Sequence, residues 1–173
     1  MPNPLENVAA KAAAKAANVG ARAKGLTGVF AKLAEQHQEA AVLLKRAASV
    51  DDVEKRRDLW TTLRRELLSH ERGELQVVYP ALERLADTQD IVQRHADEAD
   101  TLEAAITEID IAGCSSPNWP SHLQRLIALV QKHVDEEEDD FFPRAQKALG
   151  KDATRDLEDP FMAAKERAME SVG

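Results

Sequence analysis

Aromatic residues are scarce in this chain: four Phe, two Trp and one Tyr among 173 residues. Strands are built largely from aromatic and β-branched residues. Ala, Leu, Glu, Lys and Arg dominate here instead, so the usage favours helices. Gly and Pro are also few, at seven each, which leaves room for long uninterrupted elements. A single cysteine, Cys114, excludes an internal disulfide and makes a reducing cytoplasmic compartment the expectation. No apolar run approaches the roughly 20 residues needed to span a membrane, and no secretory signal pattern is visible at the N-terminus. An excess of basic charge is missing as well: the net charge is −8 at pH 7. Residues 1–32 hold Lys11, Lys15, Arg22, Lys24 and Lys32 against Glu6 alone, so the rest of the chain carries about −12. An acidic body argues against nucleic acid as its main partner.

What is present divides into three parts. Residues 1–26 read as a basic, Ala-rich N-terminal helix. Residues 27–150 read as four long helices. The first starts near Thr27, a candidate N-cap, and buries Phe30, Leu33, Ala34, Ala40, Ala41 and Leu44 at helical spacing, with His37 in the same stripe. The second opens at the acidic start Ser49-Val-Asp-Asp52; it runs through Trp60, Leu63 and Leu67 past Pro80 to about Leu85. The third covers about Ile91 to Ile111, with Ile91, His95, Ala99, Leu102 and Ile106 on one side. After a Gly/Ser/Pro loop at 112–121, the fourth begins near Pro120, carries Leu126, Leu129, Val130, His133 and Glu137, and stops at Gly150. Residues 151–173 form a tail with a short helical run, FMAAKERAME. The connections are short, so the expected fold is all-α: an antiparallel up-down-up-down four-helix bundle, with an extra N-terminal helix and a short helical C-terminal tail.

One pattern occurs twice. HERGELQVVYP (70–80) and HVDEEEDDFFP (133–143) both read His, three residues, Glu, four residues, aromatic, Pro. Each is preceded by a lone histidine on the helix before it: His37 before His70, His95 before His133. The chain thus reads as two helix-pair units related by an approximate twofold axis. Positions i and i+4 share one helical face about 6 Å apart, at ~1.5 Å of rise per residue, so a His and a Glu at that offset reach one ion or neighbouring ions. Bundle cores are where such sites are built. Buried carboxylates and imidazoles need partners. A metal pair satisfies all six side chains if the two carboxylates bridge and two imidazoles bind each ion. One or more positions then stay open for a small ligand. A mixed N/O set leans to iron, with Mn and Zn behind it. His122 lies about 16 Å along the helix from His133, at ~1.5 Å per residue; it reads as a helix-start residue. Pro80 and Pro143 each remove a backbone donor, from the carbonyls of Gln76 and Asp139, and are expected to bend or end their helices just beyond the acids.

His37, His70-x3-Glu74 with Tyr79-Pro80, His95, and His133-x3-Glu137 with Phe142-Pro143 together resemble the hemerythrin-like family in its bacterial HHE cation-binding form, over roughly residues 27–150. The resemblance implies a four-helix bundle holding a non-haem di-iron centre, two Fe ions with an oxo or hydroxo bridge, that handles O₂ or a related small oxidant. By position His37, His70, His95 and His133 would be terminal ligands, and Glu74 and Glu137 bridges. The oxygen carriers of the family have a second histidine on the third helix; the corresponding places here are Ile91 and Ala99, which cannot ligate. Glu66, Glu98 and Tyr79 are the candidate replacements. This departure turns the expectation from simple O₂ carriage towards reaction with O₂, peroxide or NO, including peroxidase- or catalase-like turnover. The alternative is a non-enzymatic sensor or iron-binding module acting through a partner. Ferritin-like carboxylate proteins, which use Glu-x-x-His, have the reverse order and a different spacing.

Overall fold

The computed structural model describes residues 24–172, all of it helix, turn or loop. The expected N-terminal helix lies almost wholly outside the described residues. Four long helices form the body: α1 (Gly28–Ser49), α2 (Val53–Gly73), α4 (Gln89–Ala112) and α5 (Trp119–Glu136). Two of them run on through a widened turn into shorter pieces, α2 into α3 (Tyr79–Leu82) and α5 into α6 (Phe142–Leu149). The chain closes with α7 (Lys151–Asp156) and α8 (Glu158–Ser171). No described helix is long and apolar enough to cross a membrane.

The helix starts follow from local chemistry with one exception. Asp52 caps α2 by accepting from the Lys55 amide at 2.9 Å, as its position predicts. Pro120 sits in the first turn of α5, where its missing N–H costs little. Thr27 stands at the N-cap of α1 without capping it; its hydroxyl donates instead to Gln146 Oε1 at 2.9 Å. Gln146 also accepts from the Thr27 amide and donates to the Gly25 carbonyl, so α6 holds the entry to α1.

The core consists of two apolar clusters with a polar layer between them. One, at the α3/α6 end, contains Phe30, Leu33, Val78, Tyr79, Leu82, Ile91, Phe141, Phe142 and Phe161. The other contains Leu44, Trp60, Leu63, Leu67, Leu102, Ile106, Ile109, Leu123 and Leu126. Each long helix passes from one cluster to the other, and the residues between are His37, His70, Glu74, His95, His133 and Glu137. Of the stripe expected on α1, Ala41 is exposed, and Val29 and Ala47 are buried in its stead.

The tail is more than the short helical run read from sequence. Its main helix, α8, has 14 residues and packs along α2, with Phe161, Ala164, Lys165 and Ala168 buried. Gly73 makes this contact possible: a Cβ there would stand 2.8 Å from Phe161 Cε2 and 3.5 Å from Lys165 Cβ. The glycine inside the first motif is therefore a close-approach residue, accepted despite its low helix propensity.

Both prolines follow a π-helical turn. The first spans Glu74–Val78 and the second Glu137–Phe141. Each closes with an amide five residues on from the acid: Tyr79 N–H donates to the Glu74 carbonyl and Phe142 N–H to that of Glu137. The helices thus neither stay regular nor end beyond the acids. They widen at them, absorbing one residue before the proline whose missing N–H could not have served a regular turn. Such widened turns are frequent at functional sites.

Candidate metal centre

Four helices bring the repeated residues into the polar layer. His37 comes from α1, His70 from α2, His95 from α4 and His133 from α5; Glu74 and Glu137 open the two π turns. All six side chains are buried. Their ligand atoms fall into overlapping groups whose members lie within 4.8 Å of one another: His37, His70 and Glu137; Glu74, His133 and Glu137; His95, Glu98 and His133; His70, Glu71 and Glu74. Glu137 belongs to two of these, so it joins the His37–His70 side to the Glu74–His133 side. Its Oε2 is 3.1 Å from His37 Nε2, and its Oε1 is 3.4 Å from His133 Nε2 and 4.0 Å from His95 Nδ1. His70 Nε2 is 3.6 Å from Glu74 Oε2.

Proximity here is not hydrogen bonding. His37 Nε2, His70 Nε2, both ring nitrogens of His95, His133 Nε2 and all four carboxylate oxygens of Glu74 and Glu137 are buried without a hydrogen-bond partner. A buried polar atom left unsatisfied costs about 1–3 kcal/mol, so a cluster of them is hard to account for as packing alone. The outward-facing nitrogens are served differently. His70 Nδ1 donates to Gln36 Oε1 at 2.9 Å, His37 Nδ1 to Glu138 Oε1 at 3.0 Å and His133 Nδ1 to Glu98 Oε2 at 3.3 Å. A neutral ring that donates through Nδ1 turns the lone pair of Nε2 inward, the tautomer a metal ligand needs. The rings are also wedged: His37 stacks on Phe142, His95 stacks on Phe141, and Phe161 stands edge-on to His70.

Burial and neighbouring charges shift these acids and imidazoles in opposite directions. Burial first, then the charges of Glu137 and Glu71, push the Glu74 carboxyl far up, towards its neutral form. Glu137 is held below the usual carboxylate range: burial opposes this, but His133 and His37 outweigh it. Burial also opposes the raised pKa of His133, which Glu137 and Glu71 nonetheless sustain. His70 is lowered well below its ordinary value by burial and then by His37. Glu98 is drawn down to about 2, chiefly by its hydrogen bond to His133. The donor set of imidazoles and carboxylates fits a pair of divalent transition-metal ions.

The three candidates for an extra donor separate clearly. Glu98 lies in the cluster. Glu66 is engaged by Lys165 Nζ at 2.8 Å. The Tyr79 hydroxyl is buried and unpartnered, its pKa pushed well up by burial and then by Glu74. Glu71 was missed: its Oε1 is 3.2 Å from His133 Nε2, and its Oε2 is buried without a partner. Its signal was the Glu71–Glu74 spacing of three, which shares a helical face as spacing of four does. Glu138, next to Glu137 in an acidic stretch, is buried against His37. His122 lies in none of the clustered groups.

A cavity of about 30 Å³ opens onto the layer. His37, His70, Glu71 and His133 line it together with apolar side chains that include Leu67, Leu102, Ile106, Leu126 and Val130, and with Gln36, Glu39, Glu66 and Lys165. It has room for a water-sized guest.

The sequence model of a family described as "Hemerythrin HHE cation binding domain" matches residues 28–145. A protein of Nostoc sp. (strain PCC 7120) named "DNA nickase" is 23% identical over 140 residues, which cover 79% of this chain and 39% of that protein. The chain therefore spans about two fifths of the length of the curated relative it matches. No solved structure matches.

Proposed function

The chain belongs to the hemerythrin HHE cation-binding family, and from that premise we propose that it is a non-haem di-iron protein that binds or reacts with a small oxidant: O₂, peroxide or NO. The observation that carries this reading is the set of inward, buried, unpartnered nitrogen and oxygen atoms on His37, His70, Glu74, His95, His133 and Glu137. In this proposal His37, His70, Glu74, His95, His133 and Glu137 would hold the ions. Glu71 and Glu98 supply carboxylate oxygens on the His133 side, where the second histidine of the oxygen carriers is lacking.

When bound, an iron pair supplies a change of redox state and an open position for a small ligand. The chain's own residues do the rest. Glu138, Gln36 and Glu98 orient the imidazoles and fix their tautomers. The leucine, isoleucine and valine wall keeps bulk water from the cavity and admits only small guests. Burial and the charges of Glu137 and Glu71 push the Glu74 carboxyl towards its neutral form.

Turnover and sensing are separated by assay. Iron-loaded protein is expected to consume peroxide or NO, and to lose that activity in Glu74→Ala and His133→Ala while the helical circular dichroism persists. An iron-loaded protein that changes its absorption spectrum with O₂, peroxide or NO but consumes none of them establishes the second reading, a ligand-responsive module acting through a partner. That reading is supported by the matched relative, in which the similar region is part of a longer protein. No nucleic-acid partner is proposed for this chain, whose net charge is −8.

A further inference from the structure

Helix α8 lies outside the residues matched to the family, yet three of its side chains reach the site. Phe161 stands 6.3 Å from the His70 ring, centre to centre. Met162 Sδ accepts from Gln36 Nε2 at 3.5 Å, and Gln36 in turn holds His70. Lys165, one turn beyond Phe161 on the same face, lines the cavity shared by His37, His70, Glu71 and His133.

Lys165 is the residue that packing does not explain. Burying an ammonium is costly unless it is well paired, and an aliphatic side chain would fill the same space without that cost. Its ion partner is Glu66, at 2.8 Å. The two ends of this pair are not equivalent: the Lys165 side chain is 8% exposed and that of Glu66 33%. The acid is the rim end of the pair, in partial contact with solvent, and the lysine is the more buried end. Glu66 precedes His70 by four residues on α2, so Lys165 Nζ is held about one helical turn from His70. The second acid at the rim, Glu39, has its carboxyl pushed up by burial and only partly drawn back by Lys165. Lys165 is the one cation that lines this cavity among the described residues, with His37, His70, Glu71 and His133 and a largely apolar remainder. A charge in such a low-dielectric space acts far more strongly than in water.

We propose that Lys165 is a ligand-recognition residue: it selects small anions, or oxidants that gain negative charge as they react, and holds them in the cavity against the His/Glu cluster. This rests on the metal-centre reading above. Glu66 is the internal competitor that occupies Lys165 when no guest is present. Gly73 and Phe161 set the depth at which α8 presents it.

The test uses the full chain loaded with iron, with azide as the anionic probe of the oxidised protein and NO as the neutral probe of the reduced protein, each titrated by absorbance. Lys165→Met keeps the stem and removes the charge. It is expected to weaken azide binding by roughly ten- to hundredfold with NO affinity and iron content unchanged. Lys165→Arg is expected to restore most of the azide affinity, and Glu66→Gln to raise it above that of the natural protein. Should Lys165→Met fail to fold, Glu66→Gln carries the test alone. Unchanged or weaker azide binding in Glu66→Gln, or equal changes for azide and NO in Lys165→Met at normal iron content, overturns the proposal and leaves the metal centre standing. Failure of the natural protein to take up iron overturns both, and is distinguished by elemental analysis of the same samples.

Discussion

The two halves of the site share a sequence pattern and differ in what surrounds it. His37 and His70 have unlike supports: the Glu138 carboxylate holds His37, the neutral amide of Gln36 holds His70, and Phe161 arrives from α8. His95 and His133 share two carboxylates. Both lie near Glu98, at 3.4 and 3.3 Å, and His133 also meets Glu71 at 3.2 Å. The repeat therefore reproduces the donors and not their supports. Side chains related by an approximate twofold axis end up as two unlike half-sites, one supported by a carboxylate, an amide and a helix packed over it, the other by the two carboxylates of Glu71 and Glu98. Coulomb attraction favours a cation in the second.

The largest effect that bears on this difference is expected where the halves meet. Glu137 touches both, so Glu137→Ala should reduce bound metal from two ions per chain to none at micromolar free iron, read by elemental analysis. A single ion retained in full would show that the halves are independent. Next is Phe161→Ala, which removes a fully buried ring from the first half; a large-to-small change of this kind costs about 3–5 kcal/mol, measured by urea unfolding. The ion of the second half should survive it. The acid-rich half can be sharpened with Glu98→Gln, expected to weaken one ion by roughly 10–100-fold. Gln36→Ala should fall at the lower end of that range and act on the other ion. Competition with a chelator reads both, and equal losses at one and the same ion would remove the distinction. Smallest is Gly73→Ala. Its new methyl group meets the Phe161 ring, and overpacking is partly offset by better helix propensity, for a net loss of about 1 kcal/mol.

The bundle and the convergence of His37, His70, Glu74, His95, His133 and Glu137 were legible because both rest on helical period. A stripe every three or four residues marks a buried face, and His-x3-Glu repeated on two such stripes points two acids and two imidazoles the same way. Glu71 escaped because attention to spacing of four passes over a neighbour; the residue after His70 reaches the layer from the flank of the same face. The fate of Pro80 and Pro143 was half legible. Proline announces that a regular turn must fail, but whether the helix bends, ends or widens is decided by what packs around it, here the Tyr79–Phe141 and His37–Phe142 contacts. Helix α8 was underread for a similar reason. Phe161, Ala164, Lys165 and Ala168 follow helical spacing, but a lysine in that row does not by itself mark a buried face. Only the tertiary contact with Gly73 shows that this face turns inward. The reading of residues 1–26 falls almost entirely outside the described residues.

The central claim is that the polar layer is a place for two metal ions, and the most direct measurement is the metal content of the full chain. Protein loaded anaerobically with excess Fe(II), desalted and assayed by elemental analysis is expected to hold two irons per chain, and none in the variant in which Glu74 and Glu137 are both replaced by Gln. A natural protein that retains no transition metal, or as much as the double variant does, would contradict it.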